Sequence, residues 1–174
     1  RVHDLYCGEG GQSAGALAMD CVVHGLDIEP QPRYEARFGQ DNFTQGDALD
    51  LGTVKGLGEA DIYVASPPCA PSSNLPNLGT LSSEPQLIPT TRELLQTLGK
   101  PWVIENVQGS ISLGMLEPHV VLRNRDFGLQ ANRARVFESS HHLVNELDSK
   151  HLGTRMCAGE RNPIPKLDEY GRRM

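Results

Sequence analysis

Residues 4–11 read Asp-Leu-Tyr-Cys-Gly-Glu-Gly-Gly (DLYCGEGG). This stretch joins an apolar run, which predicts a first β-strand, to a segment with helical character that begins near Gln12. Glycines in a strand-to-helix turn let the backbone approach a ligand closely, and a helix N-terminus favours a negatively charged group. The G-x-G-G spacing differs from the G-x-G-x-x-G of NAD-binding turns, so a plain NAD site fits poorly. A tight turn without a ligand is the alternative.

Apolar runs and helical segments alternate along most of the chain. The predicted strands are 2–7, 21–28, 42–45, 60–65, 102–107 and 134–138, and the predicted helices are 12–19, 33–38 and 90–98. Strands that alternate with helices predict an α/β fold with a mostly parallel, doubly wound sheet that helices cover on both faces.

Two segments lack this periodicity. Residues 71–89 are rich in Ser, Pro, Asn and Gly, which predicts a long loop, and loops of that length are often functional. The pattern fades after residue 140, and residues 160–174 predict irregular structure. We therefore expect one main domain at 1–140 and a poorly defined region at 141–174. Because the sequence starts at Arg1, immediately before the first predicted strand, a few residues are expected to precede it.

Carboxylates follow the second and third predicted strands. Asp27 lies in GLDIEP (25–30) and Asp47 in GDAL (46–49). The carboxyl edge of such a sheet is where ligands bind, and an acid after the second strand is where nucleotide folds grip ribose hydroxyls. Solvated strand ends are the alternative for each carboxylate alone. Together with the glycine-rich turn, they favour a ribose-containing ligand.

The stretch SPPCAPSS (66–73) follows the apolar run ADIYVA and places Cys69 behind two prolines. Proline fixes φ and donates no backbone hydrogen bond, so the pair ends the strand and stiffens the loop. A cysteine on such a loop is either a small buried apolar group or a positioned nucleophile. The residues alone leave both open.

Composition is that of an ordinary globular protein. The 174 residues carry 38% apolar and 22% charged side chains, with a net charge of -6. Residues 1–110 hold 6 Lys and Arg against 14 Asp and Glu, while residues 111–174 hold 10 against 8. The back half is thus mildly basic, which allows a local basic surface for nucleic acid.

The four cysteines form no C-x-x-C pair, and we expect free thiols in a reducing compartment. Cys7 and Cys21 are expected in the core. His141-His142 has no partner at metal-ligand spacing, so no metal is expected. The sequence shows neither an apolar run long enough for a membrane span nor a signal peptide, and a cytoplasmic location is expected.

Taken in order, the motifs resemble those of cytosine carbon-5 DNA methyltransferases, and most closely the compact phage-type members. DLYCGEGG is similar to the first family motif, D-L-F-C-G-x-G-G, while GLDIEP and GDAL resemble the second and third. SPPC resembles the catalytic Pro-Cys motif, WVIENV (102–107) carries the E-N-V signature, and Arg133-Ala134-Arg135 resembles the R-x-R core of the next block. The resemblance covers roughly residues 1–140.

Three positions depart from the family pattern. Ala70 replaces the glutamine that usually follows the catalytic cysteine, and Gln130 stands one place away from the usual glutamine before R-x-R. The target-recognition region is small, missing or incomplete, and the closing G-N motif has no match.

The resemblance implies a Rossmann-like class I methyltransferase fold that binds S-adenosylmethionine and releases S-adenosylhomocysteine. It implies that Asp27 holds the ribose and that Asp47 binds the adenine amino group. The implied cofactor-binding residues are Asp4, Leu5, Tyr6, Cys7, Gly8, Gly10, Gly11, Asp27, Ile28, Asp47, Ala48 and Pro67.

The resemblance also implies the catalytic residues Cys69, Glu105, Arg133 and Arg135. Cys69 would attack carbon 6 of a cytosine flipped out of double-stranded DNA, and Glu105 would protonate ring N3. Arg135 would contact O2, and Arg133 would brace the loop or a phosphate. The protein is expected to act as a monomer.

The same residues fit other functions and roles. One branch of the family methylates cytosine in tRNA, and a catalytically weak cofactor- or DNA-binding homologue fits the departures. Glu105 could be a solvated strand end, although its apolar neighbours favour a raised pKa. Arg133 and Arg135 could form surface salt bridges, and Arg123 and Arg125 are expected to be exposed charges.

Overall fold

A computed structural model describes residues 1–68, 87–112, 114–117, 120–128, 130, 133–141 and 143. These residues form a sheet of seven strands in the order β3-β2-β1-β4-β5-β7-β6. The strands are β1 (Val2–Leu5), β2 (Val23–Asp27), β3 (Phe43–Gln45), β4 (Ile62–Ala65), β5 (Trp102–Val107), β6 (Val120–Arg123) and β7 (Ala134–Ser139).

Helices connect most of the strands. They are α1 (Gly11–Ala18), α2 (Pro32–Phe38), α3 (Leu51–Gly56), α4 (Leu87–Leu98) and α5 (Gly109–Ser112), with short 3-10 helices at Gln40–Asn42 and Asn124–Phe127. Strands β1 to β5 pair in parallel, whereas β7 runs antiparallel to both β5 and β6. The predicted α/β fold with a mostly parallel, doubly wound sheet is confirmed.

Strand β1 lies inside the sheet between β2 and β4, and all four of its residues are buried. Successive side chains of a strand point to opposite faces. Asp4 contacts α1 and α2 through Ser13, whereas Leu5 belongs to the apolar core that includes Val54 of α3 and Leu95 of α4. The helices therefore cover both faces, and the glycine-rich turn follows an interior strand of the sheet.

Helices α3 and α5, strand β6 and the two 3-10 helices were not predicted, and helix α4 begins earlier than expected. Helix α3 was missed because its sequence contains two glycines, which are uncommon inside helices. The Asp50 side chain caps it by accepting hydrogen bonds from the Gly52 and Thr53 amides. Strand β6 is mostly half-buried, so its apolar pattern is weak. Helix α4 begins at Leu87 within the predicted loop, because Pro89 occupies the first turn, where an amide hydrogen has no partner within the helix.

Helix α4 is fixed to β7 by a largely buried ion pair between Arg92 and Glu138. The Arg92 Nη2 group donates to Glu138 Oε2 at 2.8 Å and to the Met115 carbonyl at 2.6 Å. Glu138 also accepts a hydrogen bond of 2.9 Å from the Glu117 amide. One pair thus joins the helix, the strand and the 115–117 segment.

Replacing Arg92 by leucine is expected to lower the free energy of unfolding by about 3 kcal/mol, because Glu138 is left as a buried charge without its partner. Urea unfolding measures the change. The matched control is Arg33→Leu, which removes an exposed ion pair with Glu9 and is expected to cost under about 1 kcal/mol. Equal losses in the two variants would contradict the buried-pair interpretation.

Within the described ranges, no helix has the length and apolar character needed to cross a membrane.

Candidate active site

The carboxyl ends of the parallel strands meet at one edge of the sheet, where ligands bind in folds of this kind. The glycine-rich turn follows β1 there, Asp27 ends β2, Asp47 follows β3, and Ser66 and Pro67 follow β4. Glu105 lies on the neighbouring strand β5. The fold therefore brings predicted site residues from five strands to the same edge.

The turn after β1 has an unusual backbone. Tyr6, Gly8 and Gly10 have φ values of 61°, 50° and 84°, in the left-handed region. A Cβ atom at Gly10 would lie 2.3 Å from Phe38 Cε2, so only glycine fits there. A Cβ atom at Gly8 or Gly11 would meet nothing within 4 Å, and these two glycines border open space. The turn is therefore packed against Phe38 at Gly10 and borders open space at Gly8 and Gly11.

Asp27 holds the turn at the end of β2. Its Oδ2 atom accepts a hydrogen bond of 2.9 Å from the Gly8 amide, and its Oδ1 atom accepts one of 3.0 Å from the Glu29 amide. Each carboxylate oxygen keeps capacity for a second donor. Ile28, next in sequence, is exposed. A carboxylate and an apolar side chain thus stand side by side at this edge.

The other residues predicted to bind the cofactor differ in what they can offer. Asp47 is exposed and accepts a hydrogen bond of 2.8 Å from the Leu49 amide, so its carboxylate is accessible. Leu5 and Ala48 are core residues that could offer a ligand only backbone atoms. The Tyr6 hydroxyl lies 2.9 Å from Thr91 Oγ1 on α4.

Cys7 is buried, and burial, with smaller contributions from Asp4 and Asp27, raises the pKa of its thiol. A thiol that stays protonated is a poor nucleophile, so Cys7 is a packing residue of the turn. Cys21 is half-buried. Cys69 and its neighbour Ala70 lie outside the described residues.

Asp4 is buried beneath the turn. Its Oδ2 atom accepts hydrogen bonds from the Ser13 amide at 3.0 Å and the Ser13 hydroxyl at 2.7 Å, while its Oδ1 atom has no hydrogen-bond partner. Burial raises the pKa of Asp4 to about 6, against the two hydrogen bonds, which lower it. The folded protein therefore binds a proton here that the unfolded chain releases near pH 4.

Asp4→Asn is expected to be more stable than the parent by about 2 kcal/mol at pH 7, because the buried charge is gone, and to lose this advantage as pH falls through 6 towards 4. Urea unfolding at pH 7 and pH 4.5 measures the difference. Burial lowers the pKa of His3 to about 4, but His3 is common to both chains and cancels. A pH-independent difference would contradict the raised pKa of Asp4.

The segment that leads to Cys69 is anchored at three points. The Ser66 amide donates to the Leu5 carbonyl at 3.2 Å, and the Gln12 side chain donates to the Ser66 hydroxyl. Asn106 Nδ2 donates to the Pro67 carbonyl at 2.9 Å, and both of these residues are buried. The chain is therefore held in place up to two residues before Cys69.

Glu105 and Arg135 form an ion pair of 2.6 Å, with 19% and 26% of their side chains exposed. They come together because β5 and β7 are antiparallel and Arg135 pairs with Val107, two residues beyond Glu105 on the same face. Burial raises the pKa of Glu105, against Arg135, Arg133 and a hydrogen bond from Ser66, which lower it. The raised pKa that the sequence predicted is confirmed in direction.

Arg133 stands one residue before β7 and is exposed, and its charge, like that of Arg135, lowers the pKa of Glu105 against the effect of burial. Arg135 forms a salt bridge, as the alternative interpretation expected. Its partner is Glu105, the predicted catalytic acid. Arg123 is half-buried and Arg125 is exposed.

Sequence reasoning missed the residues that support the site, above all Gln12, Ser13, Tyr34 and Thr91. The available signal was a polar side chain within an otherwise apolar helix face, as at Ser13 and Thr91, both of which are buried. In the described part of the chain, no group of three His, Cys, Asp or Glu side chains could hold a metal ion.

No protein-family model matches the chain, and no curated protein sequence matches it. Among solved structures, it is similar to the Dnmt2 methyltransferase of S. pombe, with 19% identity and a TM-score of 0.56 over 84% of this chain and 52% of the other. A mutant of Spodoptera frugiperda DNMT2 gives 18% identity and a TM-score of 0.56 over 79% of this chain and 48% of the other.

The chain thus spans about half the length of each of these two proteins. At such identities the likeness establishes the fold, which is the Rossmann-like fold of class I methyltransferases.

Proposed function

We propose that the chain is the catalytic part of an S-adenosylmethionine-dependent methyltransferase that acts on carbon 5 of cytosine in double-stranded DNA. The observation that carries the proposal is the position of the Glu105–Arg135 pair. It lies beside the anchored Ser66-Pro67 segment that leads to Cys69, on the same sheet as the open glycine-rich turn.

The carboxyl edge of the sheet fits S-adenosylmethionine in shape and charge. The open space at Gly8 and Gly11 allows a ligand to approach the backbone, and Asp27 has free acceptor capacity for ribose hydroxyls. Asp47 is accessible to an adenine amino group, and Ile28 offers an apolar surface beside Asp27. The bound cofactor supplies an activated methyl group on a positively charged sulfur, which suits a turn surrounded by carboxylates.

In the proposed reaction, Cys69 attacks carbon 6 of the base as a thiolate, and Glu105 delivers a proton to ring N3 so that no charge builds up. Carbon 5 then takes the methyl group, and the sulfur of the departing S-adenosylhomocysteine keeps the electron pair of the broken bond. Glu105 takes back the N3 proton, a solvent water removes the proton from carbon 5, and the electron pair of that C–H bond re-forms the C5–C6 double bond as Cys69 leaves as a thiolate. A raised pKa at Glu105 suits a proton donor. The proposal assigns Arg135, which pairs with Glu105, to O2 of the base, and exposed Arg133 to a phosphate.

The target base must leave the duplex, at a cost of a few kcal/mol. We propose a monomer that acts in the cytoplasm on double-stranded DNA, and the cytosine of tRNA is the second substrate to test. A protein that binds the cofactor without transferring a methyl group is the alternative of a different class, prompted by Ala70.

Incubation with S-adenosylmethionine labelled with tritium in the methyl group separates these functions. The substrates are a cytosine-containing duplex, a matched duplex of only A and T, and tRNA. Label in the cytosine duplex alone is the expected result, and label in tRNA alone would transfer the proposal to RNA. Cofactor binding by calorimetry with no label in any substrate would leave a binding protein and overturn the enzymatic proposal.

A further inference from the structure

A chain of buried polar groups lies beneath the glycine-rich turn and joins three elements. Tyr34 Oη on α2 is 2.9 Å from Ser13 Oγ on α1, and Ser13 Oγ is 2.7 Å from Asp4 Oδ2 on β1. Asp4 is 1% exposed, and Ser13 and Tyr34 are fully buried. Buried polar side chains that satisfy one another in this way fix the relative positions of the elements that carry them.

The direction of donation follows from the chemistry of the groups. An ionised carboxylate only accepts hydrogen bonds, so the single hydroxyl hydrogen of Ser13 is directed at Asp4. The Ser13 oxygen then accepts from the Tyr34 hydroxyl. The Ser13 amide donates to the same Asp4 oxygen at 3.0 Å, so the first turn of α1 is bound to β1 twice.

The Tyr34 ring supports the turn from below. A Cβ atom at Gly25 would lie 2.5 Å from Tyr34 Cζ, and one at Gly10 would lie 2.8 Å from Tyr34 Cδ2. The ring therefore fills the space that these two glycines leave, between the turn and β2. Phe38, one helical turn further along α2, packs against Tyr34 with ring centroids 4.5 Å apart.

The same turn is held from the side by Asp27, whose Oδ2 atom accepts from the Gly8 amide. Helix α2, which carries Tyr34, begins only five residues after Asp27, at Pro32. The hydroxyl chain and the Asp27 contact thus fix the turn and the ribose-binding carboxylate relative to each other.

We propose that Ser13 and Tyr34 are positioning residues for S-adenosylmethionine, which set its affinity by holding the turn at 6–10 and Asp27 in register without touching the cofactor. The inference rests on the proposed cofactor and extends it to two residues outside the site residues predicted from the sequence. Neither residue is expected to affect the methyl-transfer step once the cofactor is bound.

The test compares cofactor binding with stability in Tyr34→Phe, which removes one hydroxyl and keeps the ring. We expect the dissociation constant for S-adenosylmethionine, measured by calorimetry, to rise about fivefold, as for one lost hydrogen bond. The rate at saturating cofactor is expected to stay within about twofold of the parent. Ser13→Ala is expected to weaken binding at least as much, and the double variant is expected to bind no worse than Ser13→Ala, because both changes break one chain.

Tyr63→Phe is the matched control, since Tyr63 is a buried tyrosine at the opposite end of its strand from the site. It is expected to leave cofactor affinity unchanged even where its melting temperature falls as far as that of Tyr34→Phe. Parent-like affinity in both Tyr34→Phe and Ser13→Ala would overturn the inference alone. Failure of the parent chain to bind S-adenosylmethionine would overturn the proposed function and this inference with it.

Discussion

Replacing Cys69 by serine is expected to lower the rate of methyl transfer by about 10⁴-fold or more while leaving the affinity for S-adenosylmethionine unchanged. The reaction needs an ionised nucleophile, and a serine hydroxyl does not ionise near neutral pH, whereas a thiol is ionised to a few per cent. The change adds no bulk to the loop. Initial rates of tritium transfer and calorimetric binding to the same preparation measure the two effects.

Cys21→Ser is the matched control, because Cys21 is half-buried and lies near the start of β2, at the opposite end from Asp27. It is expected to transfer methyl groups at the parent rate. Near-normal turnover by Cys69→Ser would remove Cys69 as the nucleophile.

Replacing Glu105 by glutamine is expected to lower the catalytic rate by about 10³-fold, within the range that proton donation usually contributes. Glutamine can accept the hydrogen bond from Arg135 but has no proton to deliver to ring N3. Single-turnover rates with saturating cofactor measure the loss. Glu59→Gln is the control, since Glu59 is an exposed carboxylate that pairs with Lys100 away from the site, and its rate should be unchanged.

The pH dependence of the rate gives an independent test of Glu105. Burial raises the pKa of Glu105, so its acid form persists to higher pH than in an ordinary carboxyl group. The parent rate should therefore fall as pH rises through that pKa, and the residual rate of Glu105→Gln should lack this decline. A decline of the same shape in both chains would assign it to another group.

Strand positions could be predicted because the buried residues of a strand are mostly apolar. The Trp102–Val107 strand was predicted with its observed bounds, since the apolar residues Trp102, Val103 and Ile104 follow Pro101 directly. Helix α3 shows no clear apolar pattern, because it is short and its N-terminus depends on the Asp50 cap. The edge strand β6 was not predicted, because its side chains are mostly half-buried and therefore need not be apolar.

The residues of the candidate site that lie in sequence motifs could be predicted. The residues that only the folded structure brings next to the site were missed. Asp27 and Glu105 stand out as carboxylates at strand positions. The pairing of Glu105 with Arg135 depends on the antiparallel register of β5 and β7, which the chain order does not reveal. Tyr34 reaches Ser13 only because Gly10 and Gly25 leave room for its ring, a relation between residues far apart in sequence.

The proposed reaction depends most on a covalent bond between Cys69 and carbon 6 of cytosine. The most direct measurement uses a long duplex of mixed sequence in which 5-fluorocytosine replaces cytosine, incubated with the chain and S-adenosylmethionine. Fluorine cannot leave carbon 5 as a proton does, so the adduct should survive denaturation. Mass spectrometry is expected to find the methylated base on the peptide that contains Cys69. An adduct on another cysteine, or methylation of an ordinary cytosine duplex with no trapped adduct, would contradict the account.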